Sequence, residues 1–346
     1  MTGGTPDSPA RSAARLAGAH VLVTGASGFI GRRLAAALAR EGPAEVRLLL
    51  RRTSRREGLE GDPFRVVEGD LRSQASLEAA ADGVDYVFHL AGLTRAKGLE
   101  EFLRVNAEGT ELLARAVAAK APGLRRFVHM SSLAAVGPAR NGEPLTEEAP
   151  CEPVTWYGRS KLESEGALLR GLGDRPWTIL RPPAVYGPGE RDLFQFFKMV
   201  RGRVAPLLGF RRTRLSFVYG DDLVDAALRA AVAPATMGRR YFVCHPEIVT
   251  DLDFVHAVEG ALSRRAWKPR LPLALGWALG AFSSFFMTPI CKRPPLFTLQ
   301  RMIDIAQPAW TCDGSALAAD LGPICPTDIV RGTALAAAWY RKEGWL

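Results

Sequence analysis

Tyr157 and Lys161 stand four positions apart in the sequence, and side chains of these two types can together transfer a proton. On a helix this spacing brings both side chains to one face, where the ammonium of the lysine can act on the phenol. A free phenol titrates near about pH 10, so a nearby cation that stabilises the phenolate would lower its pKa. Such a tyrosine could take a proton from a substrate oxygen or return one. The alternative is an exposed helical pair, and an upstream cofactor site would decide between them.

A glycine-rich turn between a strand and a helix lies upstream of that pair. The apolar run 20–23 leads into Thr24–Gly31 (Thr-Gly-Ala-Ser-Gly-Phe-Ile-Gly), and residues 32–40 are strong helix formers. Strand, glycine turn and helix in this order are typical of a dinucleotide-binding fingerprint, although an ordinary turn can also contain three glycines. The glycines let the backbone approach a pyrophosphate at the helix N-terminus. The two features together predict a tyrosine acid/base beside a nicotinamide ring.

The alternation of strand and helix patterns predicts an α/β fold, namely a Rossmann-type doubly wound parallel sheet with a smaller, mainly helical C-terminal substrate domain. We expect a disordered leader over residues 1–18 and an NAD(P)-binding domain over 19–181, with return segments near 214–245. The substrate-binding region would comprise 182–213 and 246–346. The predicted strands are 46–50, 64–67, 86–90, 127–130, 177–180 and 241–244, and the predicted helices include 76–81, 102–119 and 221–233.

Composition is that of a soluble globular protein, with 47% hydrophobic and 23% charged residues in a chain of 346. The five cysteines are widely spaced and form no Cys-x-x-Cys pair, which favours a cytoplasmic location, and no metal site is expected. The net charge of +9 comes from basic residues spread along the chain, without aromatic interleaving, so no nucleic-acid partner is expected. A phosphate-rich cofactor and an acidic membrane surface explain the charge more simply.

Residues 271–290 form an uncharged apolar segment with basic residues on both sides. Its length approaches that of a membrane span, but Pro272 and Pro289 shorten the useful apolar stretch. We therefore expect either a peripheral membrane contact through 271–290 or an apolar wall over the substrate site, in preference to a spanning helix.

The glycine run and the Tyr157/Lys161 pair resemble those of the extended short-chain dehydrogenase/reductase family, also called the NAD-dependent epimerase/dehydratase family. The resemblance runs from about residue 19 to the C-terminus. Further matching segments are Gly69–Leu71, His89–Gly92, Val105–Thr110, Met130–Ser132 and Arg181–Gly187.

This resemblance implies roles for individual residues. The catalytic set would be Ser132, which we favour over Ser131, with Tyr157 as the acid/base and Lys161 lowering its pKa and holding the nicotinamide ribose. The implied cofactor-binding residues are Gly25, Ser27, Gly28, Phe29, Ile30, Gly31, Arg51, Asp70, Leu71, Leu90, Ala91, Gly92, Tyr157, Lys161, Pro182 and Val185. Asp70 would accept from the adenine amine, unless it only caps the following helix.

The end of the second strand bears on the choice of cofactor. Members of the family that prefer NAD tend to carry an Asp there, whereas this chain has Arg51 and Arg52, which suit a 2′-phosphate. We therefore expect NADP(H), with NAD(H) as the alternative. The competing explanation, which we favour less, is that two solvated arginines merely follow a strand.

Two departures from the family pattern bear on the substrate. Nucleotide-sugar epimerases and dehydratases usually carry Asn where this chain has Ala184, and Arg where it has Leu215. The pattern is closer to the 3β-hydroxysteroid dehydrogenase and dihydroflavonol reductase-like branch, which implies an oxidoreductase acting on a hydroxyl or ketone of an apolar, steroid-, flavonoid- or lipid-like substrate.

Three alternatives stay open at this point. The first is a nucleotide-sugar 4-epimerase or dehydratase, and the second is a non-catalytic NADP(H)-binding protein on the same fold. The third is the oligomeric state. Family members commonly form homodimers through two helices, but no residue of this sequence demonstrates a homodimer.

Overall fold

Seven parallel strands form the main sheet in a computed structural model, which describes residues 16–288, 290–291, 295 and 297–346. The described residues form thirteen strands in all, namely β1 (His20–Thr24), β2 (Glu45–Leu50), β3 (Phe64–Glu68), β4 (Tyr86–His89), β5 (Arg126–Met130), β6 (Trp177–Arg181), β7 (Ala184–Tyr186), β8 (Leu207–Leu208), β9 (Arg214–Tyr219), β10 (Arg239–Phe242), β11 (Ile248–Thr250), β12 (Arg270–Leu271) and β13 (Ala309–Trp310). The order in the main sheet is β10-β6-β5-β4-β1-β2-β3. From β1 the chain first adds strands on one side of the sheet and then, from β4 onward, on the other. The crevice at the carboxyl ends of β1 and β4 is therefore the expected ligand site.

Helices cover both faces of this sheet, as the strand and helix alternation predicts. They are α1 (Phe29–Leu38), α2 (Gln74–Ala81), α3 (Leu99–Phe102), α4 (Gly109–Lys120), α5 (Trp156–Leu172), α6 (Phe194–Arg201), α7 (Gly220–Val232), α8 (Asp251–Leu262), α9 (Leu273–Phe282), α10 (Leu299–Ile305), α11 (Ser315–Leu321) and α12 (Ile329–Lys342). A π-helical turn over Leu103–Glu108 joins α3 to α4, and a second over Ser283–Met287 continues α9. The doubly wound α/β fold is confirmed.

Apolar residues fill both sides of the main sheet. One core lies between the sheet and α1 with α7, and the other lies beneath α2, α4 and α5. Because its two faces are covered, β1 is a continuous apolar run in which Val21, Leu22 and Val23 are fully buried.

A second sheet lies outside the main one and has a core of its own. Strands β7, β11 and β13 all pair with β9, and β8 forms a separate small pair with β12. Helices α6, α8 and α12 pack around β9. The division of the chain into a cofactor domain and a substrate region remains a prediction.

The observed element bounds differ from the expected ones by a few residues. The returning strand is 239–242 instead of 241–244, because its ladder with β6 ends where the Phe242 amide donates to the Glu147 carboxylate. Residues 1–15 of the expected leader lie outside the described residues. Residues 16–18 form a turn in which Leu16 is buried and the Gly18 amide donates to the Gly42 carbonyl.

The apolar segment 271–290 forms α9 and the π-helical turn after it, with Pro289 outside the described residues. Among the helices that the structure describes, none has the length and apolar character needed to cross a bilayer.

A buried ion pair fixes α5 against β6. Nε and Nη2 of Arg181 donate to the Glu165 carboxylate, at 2.9 and 2.7 Å. Both side chains are almost fully buried. The Ser131 hydroxyl donates to the same carboxylate at 2.6 Å, and Arg240 approaches it at 3.3 Å. One carboxylate therefore joins α5 to β5, β6 and β10.

We predict that Glu165→Gln destabilises the protein by about 3–5 kcal/mol, because the change leaves the Arg181 charge buried and unpaired. The free energy of unfolding, measured by urea titration, checks this. Glu163→Gln, on the exposed face of the same helix, is the matched control and should change little. Equal stabilities of the two variants would contradict the structural role of the ion pair.

Candidate active site

Glycines make a narrow cradle at the carboxyl end of β1. Gly25 has φ +77°, and a Cβ there would lie 2.7 Å from the Ala91 amide nitrogen. A Cβ on Gly31 would overlap the Gly25 carbonyl oxygen. Only glycine fits both positions, which keeps the turn tight and brings the start of α1 close to β4.

The first turn of α1 is open to an anion. Gly28 is the N-cap and provides no side chain to bond the free amides of that turn. Uncapped amides at the positive end of a helix dipole bind phosphate groups readily. The cradle and this helix end together fit the pyrophosphate of a dinucleotide.

Neighbouring residues hold the cradle in shape. The Ser27 carbonyl accepts from Arg32, the Phe29 ring lies 4.4 Å from the Arg33 guanidinium, and Ile30 packs on the core beside the sheet. These contacts leave the backbone of the turn, and not its side chains, to face a ligand.

The loop after β4 forms the opposite wall of the crevice. The Leu90 amide donates to the Thr24 carbonyl at 3.1 Å, and the Ala91 amide donates to the Thr24 hydroxyl at 3.2 Å. A Cβ on Gly92 would lie 3.0 Å from the Asn106 amide oxygen. The Asn106 side chain bonds both backbone groups of Leu93, which holds this loop in place.

The catalytic candidates come together at the carboxyl end of β5. Thr155 caps α5 through the Gly158 amide at 3.1 Å, and this cap sets the first turn that carries Tyr157. The Ser132 hydroxyl lies beside the Tyr157 phenol and lowers its pKa. A Cβ on Gly158 would overlap the Ala134 carbonyl, so glycine at this position lets α5 approach the turn after Ser132.

Ser131 and Ser132 have different partners, which bears on the choice between them. Ser131 is buried and its hydroxyl donates to Glu165, away from Tyr157. Ser132 is half-buried, and its oxygen accepts from the Ala134 amide at 3.1 Å. Of the two, only Ser132 has a hydroxyl positioned to bond a substrate oxygen together with Tyr157.

Lys161 lies one helical turn beyond Tyr157 and is buried. Its ammonium donates to the Met130 carbonyl at 2.6 Å. Burial lowers the pKa of Lys161 to about 8, while the negative charge of Glu165 raises it. The cation thus sits behind the tyrosine at the end of β5.

The model of the NAD-dependent epimerase/dehydratase family matches residues 21–244, which include the cradle and the Tyr157/Lys161 pair. The chain belongs to this family. Its members are NAD-dependent enzymes, so this protein is an enzyme of the extended short-chain dehydrogenase/reductase type.

Curated relatives cover most of the chain. Ceramide reductase of Caulobacter vibrioides is 31% identical over 94% of this chain and 96% of its own length. Sterol demethylase protein B of Methylococcus capsulatus is 31% identical over 94% and 99%. The 3β-hydroxysteroid dehydrogenase/Δ5→4-isomerase of Mycobacterium tuberculosis is 29% identical over 79% of each chain.

The fold agrees with solved structures of the family. The Bordetella bronchiseptica enzyme WbmG, solved in complex with NAD, superposes with a TM-score of 0.75 and covers 97% of this chain and 96% of its own. Its identity of 22% restricts that likeness to the fold.

In this family member, the implied adenine-side residues lie beyond the cradle. Asp70 accepts from the amide and the guanidinium of Arg72, at 3.0 and 2.9 Å, and this bond lowers the pKa of Asp70. Ser73, and not Asp70, caps α2. Leu71 is buried against Gly109.

Arginines gather at the end of β2. Arg51 and Arg52 are exposed, and the Arg51 charge reaches Asp70. The Arg32 guanidinium donates to the carbonyls of Arg55 and Glu57, which brings it to the loop after β2. Arg32 follows Gly31 directly in the sequence, and this position is the signal that could have placed it among the candidate cofactor-binding residues.

The segment after β6 forms the remaining wall. The Pro182 carbonyl accepts from the Leu133 amide at 2.9 Å, next to Ser132. Val185 packs on the main core, and Ala184 beside it is exposed. Leu215 is half-buried in β9.

The expected lowering of the Tyr157 pKa is not produced by the residues around the phenol. Burial raises the pKa of Tyr157, the hydrogen bond from Ser132 lowers it, and the negative charge of Asp304 raises it. The residues of the chain around the phenol therefore favour its neutral form. The sequence expectation rested on Lys161 and a bound nicotinamide together, and it did not include the carboxylate of Asp304 on α10.

Asp304 is a site residue that sequence reasoning missed. The Gln300 side chain accepts from the Trp156 amide at 2.8 Å, which anchors α10 on the first turn of α5, and Asp304 follows Gln300 by one helical turn. Burial raises the pKa of Asp304 to about 6, although Arg301 at 3.6 Å opposes the shift. No local sequence motif marks it, since more than 140 positions separate it from Tyr157.

We predict that Asp304→Asn stabilises the protein above about pH 6. The folded state raises this pKa from 3.8 to about 6, so it binds the proton more tightly than the unfolded chain. Stability is therefore lost as the pH rises from about 4 to 6, by on the order of 1–2 kcal/mol, and Asn removes that loss. Thermal unfolding across pH 4–8 measures it.

Asp253→Asn provides a control of opposite sign. Its bond with Thr250 lowers the pKa of Asp253, so this substitution should cost stability near neutral pH. If Asp304→Asn lowered the stability at pH 7 as much as Asp253→Asn does, the assignment for Asp304 would be contradicted.

Proposed function

We propose that the protein is an NAD(P)-dependent dehydrogenase/reductase that interconverts a hydroxyl and a ketone on an apolar, steroid-, flavonoid- or lipid-like substrate. The observation that carries the proposal is that Ser132 and Tyr157 lie side by side at the carboxyl edge of the sheet, the edge that also carries the glycine cradle. A hydroxyl pair at this place can bind one substrate oxygen from two sides.

The proposed mechanism assigns a task to each residue. Residues 25–31 would hold the cofactor pyrophosphate on their backbone amides. When bound, the nicotinamide would supply or accept the hydride. Ser132 would donate a hydrogen bond to the substrate oxygen and stabilise its developing charge, while Tyr157 would transfer the proton. Lys161, with a pKa of about 8, would stabilise the phenolate after transfer and bind the nicotinamide ribose.

The protonation state of Tyr157 favours ketone reduction. Burial and the charge of Asp304 both raise its pKa, so the phenol is protonated at neutral pH. A protonated phenol can donate to a carbonyl oxygen, which is the step that reduction needs. Oxidation of an alcohol would require the phenolate and should gain rate at higher pH.

Three features support an apolar substrate. Ala184 and Leu215 offer no polar anchor for a nucleotide diphosphate. The names of the reported relatives include a ceramide reductase and a hydroxysteroid dehydrogenase, whose substrates are largely apolar. Helix α10, which carries Asp304, packs through Met302 on an apolar helix, α9.

NADP(H) is the proposed cofactor, with NAD(H) as the alternative. Arg51 and Arg52 are exposed at the end of β2, and Arg32 lies against the loop that follows them. Guanidinium groups can bind a 2′-phosphate in bidentate fashion. The family model describes NAD-dependent members, so this preference needs its own test.

A nucleotide-sugar 4-epimerase or dehydratase is the second candidate, because the family includes such enzymes. The same Ser132 and Tyr157 would serve it, so only the substrate separates the two activities. A non-catalytic NADP(H)-binding protein is the third candidate, and the retention of Ser132, Tyr157 and Lys161 argues against it.

We predict that the purified enzyme with NADPH reduces a ketosteroid, a dihydroflavonol or a long-chain keto lipid, and leaves UDP- and dTDP-sugars unchanged. Cofactor absorbance reports reduction directly, and chromatography of the sugar nucleotides reports epimerisation. Tyr157→Phe should lower turnover about 10²–10⁴-fold, because the proton donor is lost.

Ser132→Ala should lower turnover on the order of 10²-fold or more through loss of a stabilising donor. Ser131→Ala is the matched control, with turnover near that of the wild type and some loss of stability. Conversion of sugar nucleotides alone would establish the second candidate. Full activity of Tyr157→Phe would exclude the proposed mechanism.

We also predict that replacing Arg51 and Arg52 by Ala weakens NADPH binding about tenfold or more, because two cations near the 2′-phosphate are lost. NADH binding should change little. Quenching of protein fluorescence by each cofactor gives the dissociation constants. Arg40→Ala, an exposed arginine at the far end of α1, is the control. Equal weakening for both cofactors would count against the NADP(H) preference.

A further inference from the structure

Helix α9 has an unusual environment for an apolar helix. Of its ten residues only Gly276 and Gly280 are buried, and the apolar side chains of Leu275, Trp277 and Leu279 are exposed. A helix that is apolar all round is normally buried. Its exposure indicates a surface that meets something other than water.

The exposed apolar surface continues beyond α9. In the π-helical turn, the Phe282 and Phe286 rings lie 5.2 Å apart, and Phe285 is 71% exposed. Met287 and Ile290 extend it further. Contiguous exposed apolar patches of this size mark interaction sites.

A second segment joins this surface at the start of α9. The Arg270 guanidinium donates to the carbonyls of Gly209 and Arg211, at 3.0 and 2.9 Å, and Gly209 lies against Leu273. These bonds hold Phe210, which is 72% exposed, beside the helix. Beyond the β8–β12 pair, Val204 and Trp267 form an isolated β-bridge, and both side chains are exposed.

Exposed cations surround this apolar surface. Arg211 and Arg212 follow Phe210 directly, and Arg264 and Arg265 precede Trp267. Lys268 and Arg270 are neutralised by Glu259 and Asp251, at 2.6 and 3.2 Å, so the four exposed arginines provide the surface charge. Exposed apolar residues with arginines beside two of their segments match the boundary between lipid chains and anionic headgroups.

We propose that this surface, formed by α9, the turn 283–287 and the segments 204–212 and 264–267, docks the protein on an anionic membrane. The aromatic side chains enter the headgroup layer, and the arginines bind the lipid phosphates. A second copy of the chain fits less well, because the same four arginines would face each other in a protein of net charge +9. The proposal concerns a binding surface and stands apart from the reaction proposed above.

The docking surface is also linked to Tyr157. Met302 of α10 packs into the notch made by Gly276 and Gly280, where a Cβ would lie 2.7 to 3.0 Å from its atoms. On the other side, Gln300 bonds the Trp156 amide. In this pair of helices, called here the α9–α10 hairpin, α9 thus faces the membrane and α10 faces the site. If the proposed function holds, an apolar substrate reaches Tyr157 along these two helices.

Vesicle sedimentation tests the docking surface without any substrate. The full-length protein should bind vesicles of phosphatidylcholine mixed with phosphatidylglycerol, bind phosphatidylcholine alone at least about tenfold more weakly, and lose affinity as salt rises. The double variant Phe282→Glu/Phe286→Glu and the double variant Arg211→Glu/Arg212→Glu should each weaken binding about tenfold or more.

Met237→Glu is the matched control, since Met237 is an exposed apolar residue at the amino end of β10, opposite the crevice. It should bind vesicles like the wild type. Dinucleotide binding, followed by fluorescence, confirms that every variant is folded and is read separately from membrane binding.

Three results would overturn the docking proposal. One is equal binding to neutral and anionic vesicles, and another is equal binding by the Phe282/Phe286 variant and the Met237 control. The third is a dimer in light scattering that the Phe282/Phe286 variant abolishes, with no vesicle binding by the wild type. That last result would assign the surface to a second copy.

Discussion

The Glu165 carboxylate is the interaction on which the active site depends. It accepts from Arg181 on β6, from Ser131 directly after β5 and from Arg240 on β10, and it stands on the same helix as Tyr157 and Lys161. A buried charge that is bonded on all sides resists displacement, because any shift would leave it or Arg181 unpaired. The position of the catalytic helix along the strands follows from this one group, as does the separation of Ser131 from its neighbour Ser132.

Close backbone approach provides the second constraint. Gly25 and Gly31 bring the start of α1 to β4, and Gly158 brings α5 to the turn after Ser132. Each of these contacts excludes a Cβ, so the glycine cradle and the positions of Ser132 and Tyr157 are set by rigid backbone and not by adaptable side chains. Preorganised donors of this kind need no rearrangement when charge develops on a substrate oxygen.

The α9–α10 hairpin gives the site a different kind of environment on its open side. Gln300 and Asp304 face the first turn of α5, whereas the aromatic residues of α9 and its π-helical turn face outward. A carboxyl with a pKa near 6 and an apolar cover both favour a neutral phenol at Tyr157. The proposed reaction on an apolar ketone and the proposed membrane surface therefore draw on the same hairpin, although each can fail without the other.

The sequence by itself determined the strand and helix alternation, the glycine turn and the Tyr157/Lys161 spacing, because these depend on local periodicity and on residues a few positions apart. It also identified Arg51 and Ala184 as departures that bear on cofactor and substrate. Only the tertiary structure decided that Ser131 is engaged with Glu165 and that the charge of Asp304 acts on Tyr157. It also decided that α9 is exposed. Each of these depends on burial or on charges from segments far apart in the chain, and no local pattern records which distant groups a fold will bring together.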